Sequence, residues 1–361
     1  MEKMKTWITN FDFEESLKFD RFVAPQFNAI NDTLEFVFFW LCEKNDQLFT
    51  RQSYDSFYIN YIENLRRTKL HSTNDIKDTP LPWWGNTLNE GAWKSERLIN
   101  SNLTAHKARE DLGLNILESK ICRNFKEVEF ADAELKGPIL FKEEFGFSGR
   151  GLHRQWQEEG PYPVIVERLV QRVRDFGIRV NESELKIIQN LVDGKGSYKG
   201  SFMKNFYEEE EELKEPARRV YSYYKEKFGV SEIQIDCFQY LEEGVLKLNP
   251  FCEVNHRRSM GNLADSLQVN FGNEASLLAL VNKKSMKKRR TFSHSIEELG
   301  ALNYNPITKK GIIKLSPEGS LFSAYFLTED SERTLQHLIK EWWVCEAKPT
   351  EKLPSEFIIY F

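Results

Sequence analysis

The sequence predicts an α+β protein of two or three modules, and three observations carry that expectation. The chain has 361 residues, more than one typical compact core. Its middle third alternates short apolar runs with turn residues, as hairpins do. Around them lie stretches whose apolar residues recur at spacings of three and four, as amphipathic helices require. Composition agrees: hydrophobic residues make up 40% and charged residues 29%, which favours a packed globule over a disordered chain.

The first module is expected over 1–99, a small mixed α/β unit with strands near Phe36–Leu41 and Ser56–Ile62, closed by the aromatic turn Pro82-Trp83-Trp84-Gly85. From Ser95 to Leu112 the apolar spacing reads as one helix, with Gly113 at its end. Next come an apolar strand, Pro138 to Lys142, a glycine loop, Phe145 to Gly151, and a second apolar strand, Tyr162 to Glu167. Alternations over Asp175–Val180, Leu185–Val192 and Tyr198–Met203 suggest an antiparallel sheet, with Asp193-Gly194-Lys195-Gly196 as a hairpin turn. Pro216 is placed to open a helix that Gly229 ends. A second hairpin runs from Ile233–Tyr240 through Gly244 to Val245–Asn255. A C-terminal α/β extension, 266–361, is expected to pack on this core, and Trp342-Trp343 there to cover the core or an interface.

Charge and cysteines exclude some functions. With 50 basic and 55 acidic residues, nothing indicates general nucleic-acid affinity. The glutamates Glu208–Glu212 read as a solvated loop or first helical turn, and the basic cluster Lys283, Lys284, Lys287, Lys288, Arg289 and Arg290 as an exposed loop. Five scattered cysteines with no C-x-x-C pair fit a reducing compartment, so a cytoplasmic location is expected. The apolar run Phe36–Cys42 falls far short of the roughly 20 residues of a membrane helix, and no membrane association is expected.

Two constellations carry chemistry. In Gly146-x-x-Gly149-x-Gly151, small residues let backbone N–H groups approach an anion, although an ordinary glycine turn would look similar. Lys142, ending the preceding strand, adds a positive charge for the same anion. Later, Asp236 on one strand faces Glu253 and Asn255 on its expected neighbour, all on one face. Such a sparse oxygen set suits a magnesium ion that also takes nucleotide phosphates as ligands.

The ordered series of strand lysine, Phe-Gly-Phe-Ser-Gly-Arg-Gly loop, Val-Ile-Val-Glu hinge, Ile-Asp strand and Cys-Glu-Val-Asn-His-Arg resembles the ATP-grasp superfamily. The likeness spans roughly residues 100–263. It implies a nucleotide clamped between two α+β lobes, about 100–165 and 166–265, with ATP and Mg2+ (Mn2+ as the alternative ion) as cofactors. It further implies Lys107 and Lys142 as the two phosphate lysines, and Gly146, Ser148, Gly149 and Gly151 as the phosphate cover. Glu167 and the backbone near Leu169 become the adenine-side hinge, Asp175 a ribose ligand, and Asp236, Glu253 and Asn255 the metal ligands. Lys142, Arg257 and Arg258 are its catalytic candidates: Arg257 would face the transferring phosphoryl group, and Arg258 and His256 would touch substrate. Gln234 departs from the pattern, since several members carry arginine there; Arg257, Arg258, Arg179 or Arg174 is then the replacement charge.

The reaction this implies is ligation: a carboxylate, from a small molecule or peptide, is activated as an acyl phosphate and joined to an amine, releasing ADP and phosphate. Two alternatives stand beside it. One is a nucleotide-binding interaction protein without turnover, the other a kinase-like phosphoryl transferase.

Overall fold

The computed structural model describes residues 4–19, 22, 26–75, 79–135, 137–146, 149–289 and 291–358. Ser148 and Arg290 therefore lie outside the described residues.

In chain order the N-terminal module contains β1 (Lys5–Ile8), α1 (Phe13–Lys18), α2 (Ala29–Leu34), α3 (Phe36–Leu41), β2 (Asp46–Phe49), α4 (Ser56–Arg66), β3 (His71–Thr73) and β4 (Leu81–Pro82). Its strands form a parallel sheet in the order β3-β2-β1-β4. Two strand expectations fail here. Residues 36–41 are the helix α3, because an unbroken apolar run buried on all sides carries no period that separates strand from helix. Residues 56–62 open α4, whose Asp55 cap accepts from Phe57 N at 2.9 Å and whose Tyr58 and Ile62 are buried one turn apart.

The small lobe follows two helices, α5 (Glu90–Ile99) and α6 (Asn102–Asp111). The single helix expected over 95–112 is broken at Asn100-Ser101, because Ser101 caps α6 by accepting from Leu103 N and Thr104 N. Then come β5 (Ser119–Cys122), α7 (Phe125–Leu135), β6 (Ile139–Glu143), β7 (Leu152–His153) and β8 (Val164–Arg168), forming the sheet β5-β8-β6-β7. Cys122, Phe141, Val164 and Val166 bury one face of this sheet against α7. The opposite face carries Lys142 and Glu167.

The large lobe comprises β9 (Gln171–Asn181), β10 (Leu185–Val192), β11 (Tyr198–Met203), α8 (Tyr207–Phe228), β12 (Glu232–Glu242), β13 (Val245–Asn255), α9 (Met260–Phe271), β14 (Ala275–Asn282), α10 (Phe292–Leu299), β15 (Gly311–Lys314), β16 (Phe322–Glu329) and α11 (Glu332–Glu346). Its eight strands run β13-β12-β9-β10-β11-β14-β16-β15. Both faces are covered, so neighbours such as Leu277 and Leu278 enter different cores. One core holds α8 and α11 with Trp342 and Trp343, both buried; the other joins α9 to α3 and α4 of the N-terminal module.

Pro216 does not open its helix. It lies inside α8, which starts at Tyr207 because the glutamate run suits the positive end of the helix dipole. In the basic segment, Arg289 is buried between Glu298 and Glu346 rather than exposed. The limits drawn at 165 and 265 fall inside β8 and α9, and β14, β15 and β16 extend the sheet of the large lobe without a break.

Candidate functional site

The site begins where the open face of the small sheet meets β13. Lys142 and Glu167 share that face, each 2% exposed, with Lys142 Nζ 3.8 Å from Glu167 Oε1. Arg109 of α6, also 2% exposed, completes a buried triad with its Nη1 3.7 Å from Glu167 Oε2. Burial raises the Glu167 pKa, but Lys142 and Arg109 outweigh it and hold the carboxyl below its usual range. Burial likewise opposes the charge on Lys142; the Cys252 sulfur at 3.3 Å, Glu167 and Glu253 reverse the effect and leave its pKa above that of a free lysine.

The acidic half comes from the β12–β13 hairpin. Asp236 sits directly opposite Glu253, and Gln234 opposite Asn255. Pro250 has no N–H for the ladder, and the register shifts beside it, so Asp236 pairs with Glu253 while Phe238 pairs with Asn249. Phe251 and Val254 enter the core with α8, while Cys252 joins Phe238 in a smaller cluster and reaches Lys142. Asn255 Nδ2 donates to Asp236 Oδ2 at 2.9 Å and Gln234 Nε2 to Oδ1 at 3.0 Å. Even so, burial and then the Glu253 charge push the Asp236 carboxyl well above the ordinary carboxylate range. Two facing carboxylates in this state are relieved by a divalent cation, so the oxygen set fits magnesium. Among the described residues no group of three or more His, Cys, Asp or Glu gathers as a metal site.

The glycine loop is the hairpin loop between β6 and β7, closed by Glu143 N donating to Gly151 O at 2.9 Å. Gly149 and Gly151 have φ of 80° and 82°. Gly149 lies against the Lys195-Gly196 turn of the large lobe, where a side chain would overlap the Lys195 carbonyl, so this loop spans the two lobes. Gly146 approaches the Arg150 carbonyl as closely.

Other sequence expectations are not brought to this cluster. Lys107 is exposed on α6; the cation that helix buries at the site is Arg109, placed on the apolar stripe of Ala105 and Ala108. The Leu169 amide donates to Pro138 O at 2.8 Å, and the residue lines a cavity of about 670 Å3 together with Phe125 and Val128 of α7, on the side of the sheet away from Lys142. Asp175 pairs with Arg172 at 2.9 Å, and the Arg172 guanidinium stands 3.9 Å from the Phe238 ring centre; burial raises the Asp175 pKa despite that arginine. Arg258 is tied to the aromatic turn: its side chain donates to the Trp83 carbonyl, its backbone N–H to Trp84 O, and its guanidinium lies 4.8 Å from the Trp83 ring centre. Arg174 pairs with Glu209, and Arg179 with Glu232 and Asp265. Of the arginines offered in place of Gln234, Arg257 alone adjoins the acidic pair, donating from Nη2 to Asn255 Oδ1 at 3.1 Å. Next to it, His256 Nδ1 lies 2.8 Å from the buried Glu96.

Sequence reasoning missed Arg109 and Glu14 and gave Cys252 no role at the site, while Arg172 forms the kind of salt bridge with a nearby carboxylate that its sequence context suggests. Arg109 had a signal, four residues after Ala105 on the buried stripe. Glu14 and Cys252 had none, since both depend on long-range packing.

No family model matches the sequence, and no curated protein matches it. Solved structures match in shape. The biotin carboxylase domain of Hydrogenobacter thermophilus 2-oxoglutarate carboxylase, solved with MgADP, ADP and bicarbonate, is 11% identical, with a TM-score of 0.55 covering 94% of this chain and 90% of that one. Carboxyaminoimidazole ribonucleotide synthase from Aspergillus clavatus, solved with ATP, is 11% identical with a TM-score of 0.52, covering 80% of this chain and 94% of that one. An N5-carboxyaminoimidazole ribonucleotide synthetase in its ADP complex is 12% identical with a TM-score of 0.51, covering 86% and 93%. All three are ATP-grasp enzymes. Identity this low speaks for shape alone, and that shape agrees with the lobes described above: the chain has the ATP-grasp fold.

Proposed function

We propose that the protein is an ATP- and magnesium-dependent ligase that activates a carboxylate as an acyl phosphate and joins it to an amine. The observation that carries this reading is the meeting of Lys142, Arg109 and Glu167 with the β13 strand that bears Glu253, opposite Asp236. Lys142 and Arg109 bind the phosphates, with Glu167 holding both cations in place until the nucleotide arrives. Asp236, Glu253 and Asn255 hold the magnesium ion, which when bound neutralises charge on the transferring phosphoryl group. The loop of Gly146, Ser148, Gly149 and Gly151 covers the phosphates and excludes water, which protects an acyl phosphate from hydrolysis. Arg257, expected from the resemblance to face the transferring phosphoryl group, adjoins the acidic pair and holds there the acid substrate that attacks that group, and Asp175 serves the nucleoside side. The substrates are small-molecule or peptide acids and amines.

One observation favours a second reading, nucleotide binding without turnover. Gln234 bonds to Asp236 and accepts from Ser259 Oγ at 2.5 Å, so it offers no charge to a reacting group. Product analysis separates the two. A ligase releases ADP and free phosphate only when acid and amine are both present, a kinase leaves the phosphate on its acceptor, and a binding protein releases neither.

A further inference from the structure

Glu14 and Arg257 meet where the N-terminal module joins the large lobe. Arg257 Nε is 2.5 Å from Glu14 Oε1, and the two side chains are 13% and 14% exposed. The other guanidinium nitrogens donate to Arg258 O at 3.0 Å and to Asn255 Oδ1 at 3.1 Å, and Asn255 is itself tied to Asp236. Glu14 thus holds the guanidinium that the ligase reading assigns to the acid substrate.

An incoming carboxylate has to compete with Glu14. If a simple acid wins, Glu14 is left as a largely buried anion beside a second anion, which is among the least tolerated arrangements in a protein interior. Neighbouring cations of the described residues are already committed: Lys18 lies 2.5 Å from Glu143, Arg97 donates to Leu17 O, and Arg258 is fixed on Trp83. A substrate with an ammonium beside its carboxylate avoids the penalty. Its carboxylate takes Arg257, its ammonium takes Glu14, and each member of the original pair keeps a partner. We propose that the acid substrate is a zwitterionic amino acid and that Glu14, supplied by α1, is the residue that selects it. This rests on the ligase reading of the same site.

The test uses the full chain with ATP, magnesium and hydroxylamine as the amine. The hydroxylamine nitrogen bonds to the acyl carbon and gives up a proton, the bond from that carbon to the phosphate oxygen breaks, and phosphate leaves, giving a hydroxamate that is read by colour. The acids are the common L-amino acids, each against its des-amino counterpart, such as propionate for alanine and glutarate for glutamate. An unsatisfied buried charge predicts a preference of about tenfold or more for the amino acid over its counterpart. Glu14→Gln should collapse that ratio and Glu14→Asp should restore much of it. The preferred amino acid, added with a non-hydrolysable ATP analogue, should raise the melting temperature of the wild type more than that of Glu14→Gln. Equal or faster reaction of des-amino acids, or an unchanged ratio in Glu14→Gln, overturns the assignment while leaving the ligase reading intact. ATP binding with no hydroxamate from any acid overturns both.

Discussion

Glu253, proposed as a magnesium ligand, would serve binding at the expense of stability. It faces Asp236 across the hairpin, and burial together with this facing charge keeps that carboxyl protonated to higher pH than usual. Glu253→Gln removes the like charge, so the magnesium-free variant is expected to gain on the order of 1 kcal/mol against denaturant. The same variant should need about tenfold more magnesium to reach half-maximal ATP binding. Unchanged magnesium dependence would remove Glu253 from the ligand set. These residues were legible early because alternation on paired strands fixes which side chains share a face. Lys107 was misplaced because α6 carries Lys107 and Arg109 only two residues apart, and a motif read without its helical face cannot choose between them.

Elements set what those residues can do. The glycine loop bridges β6 of the small lobe and the Lys195-Gly196 turn of the large one. Gly149→Ala would force a side chain into φ of 80° and against the Lys195 carbonyl. It is expected to raise the KM for ATP and lower kcat together by about tenfold or more, with a loss of only ~1–2 kcal/mol in stability. Wild-type kinetics in that variant would show that the loop does not close over the phosphates. A second element, the α2–α3 corner, carries a pH signature. Glu35 there is fully buried, and burial pushes its carboxyl from 4.5 to about 7 despite hydrogen bonds from Thr50 at 2.7 Å and Tyr54 at 2.8 Å. Below pH 4.5 the carboxyl is protonated folded or unfolded. Between 4.5 and about 7 the unfolded chain gives up the proton first, so stability falls as pH rises, by up to about 3 kcal/mol. Glu35→Gln should be more stable than wild type at pH 8 and little different at pH 4, as denaturant midpoints would show. No difference between the two pH values would contradict this. The helices α3 and α4 were the elements least legible in the sequence. The first is apolar on every side, and the second buries its face through the four-residue step from Tyr58 to Ile62, which is too short a stretch for its period to stand out.

At the scale of the whole molecule, the β10–β11 and β12–β13 hairpins were readable because each is local and marked by a glycine turn, whereas the pairing of β12 with β9 across two strands and a helix was not. The union of the C-terminal strands with that sheet was not, since β14 pairs with β11 across more than one intervening helix. Nor was the shared core. Phe36 to Trp40 of the N-terminal module pack in one cluster with Leu263, Leu267, Leu278 and Phe326. A chain starting at residue 100 would bare that apolar surface, and it is expected to be aggregated or to bind a hydrophobic dye strongly, whereas a monodisperse, cooperatively melting fragment would show that the modules fold independently. Among the described residues no helix is long and apolar enough to cross a membrane.

The central claim is that ATP and magnesium are held where Lys142, Arg109 and Glu167 meet the Asp236–Glu253 hairpin. Calorimetric titration of ATP with magnesium into the wild type, Lys142→Ala and Lys107→Ala tests it most directly. The account expects binding by the wild type, affinity at least about tenfold weaker for Lys142→Ala, and wild-type affinity for the exposed Lys107→Ala. Equal binding by Lys142→Ala and the wild type, or loss confined to Lys107→Ala, would contradict it.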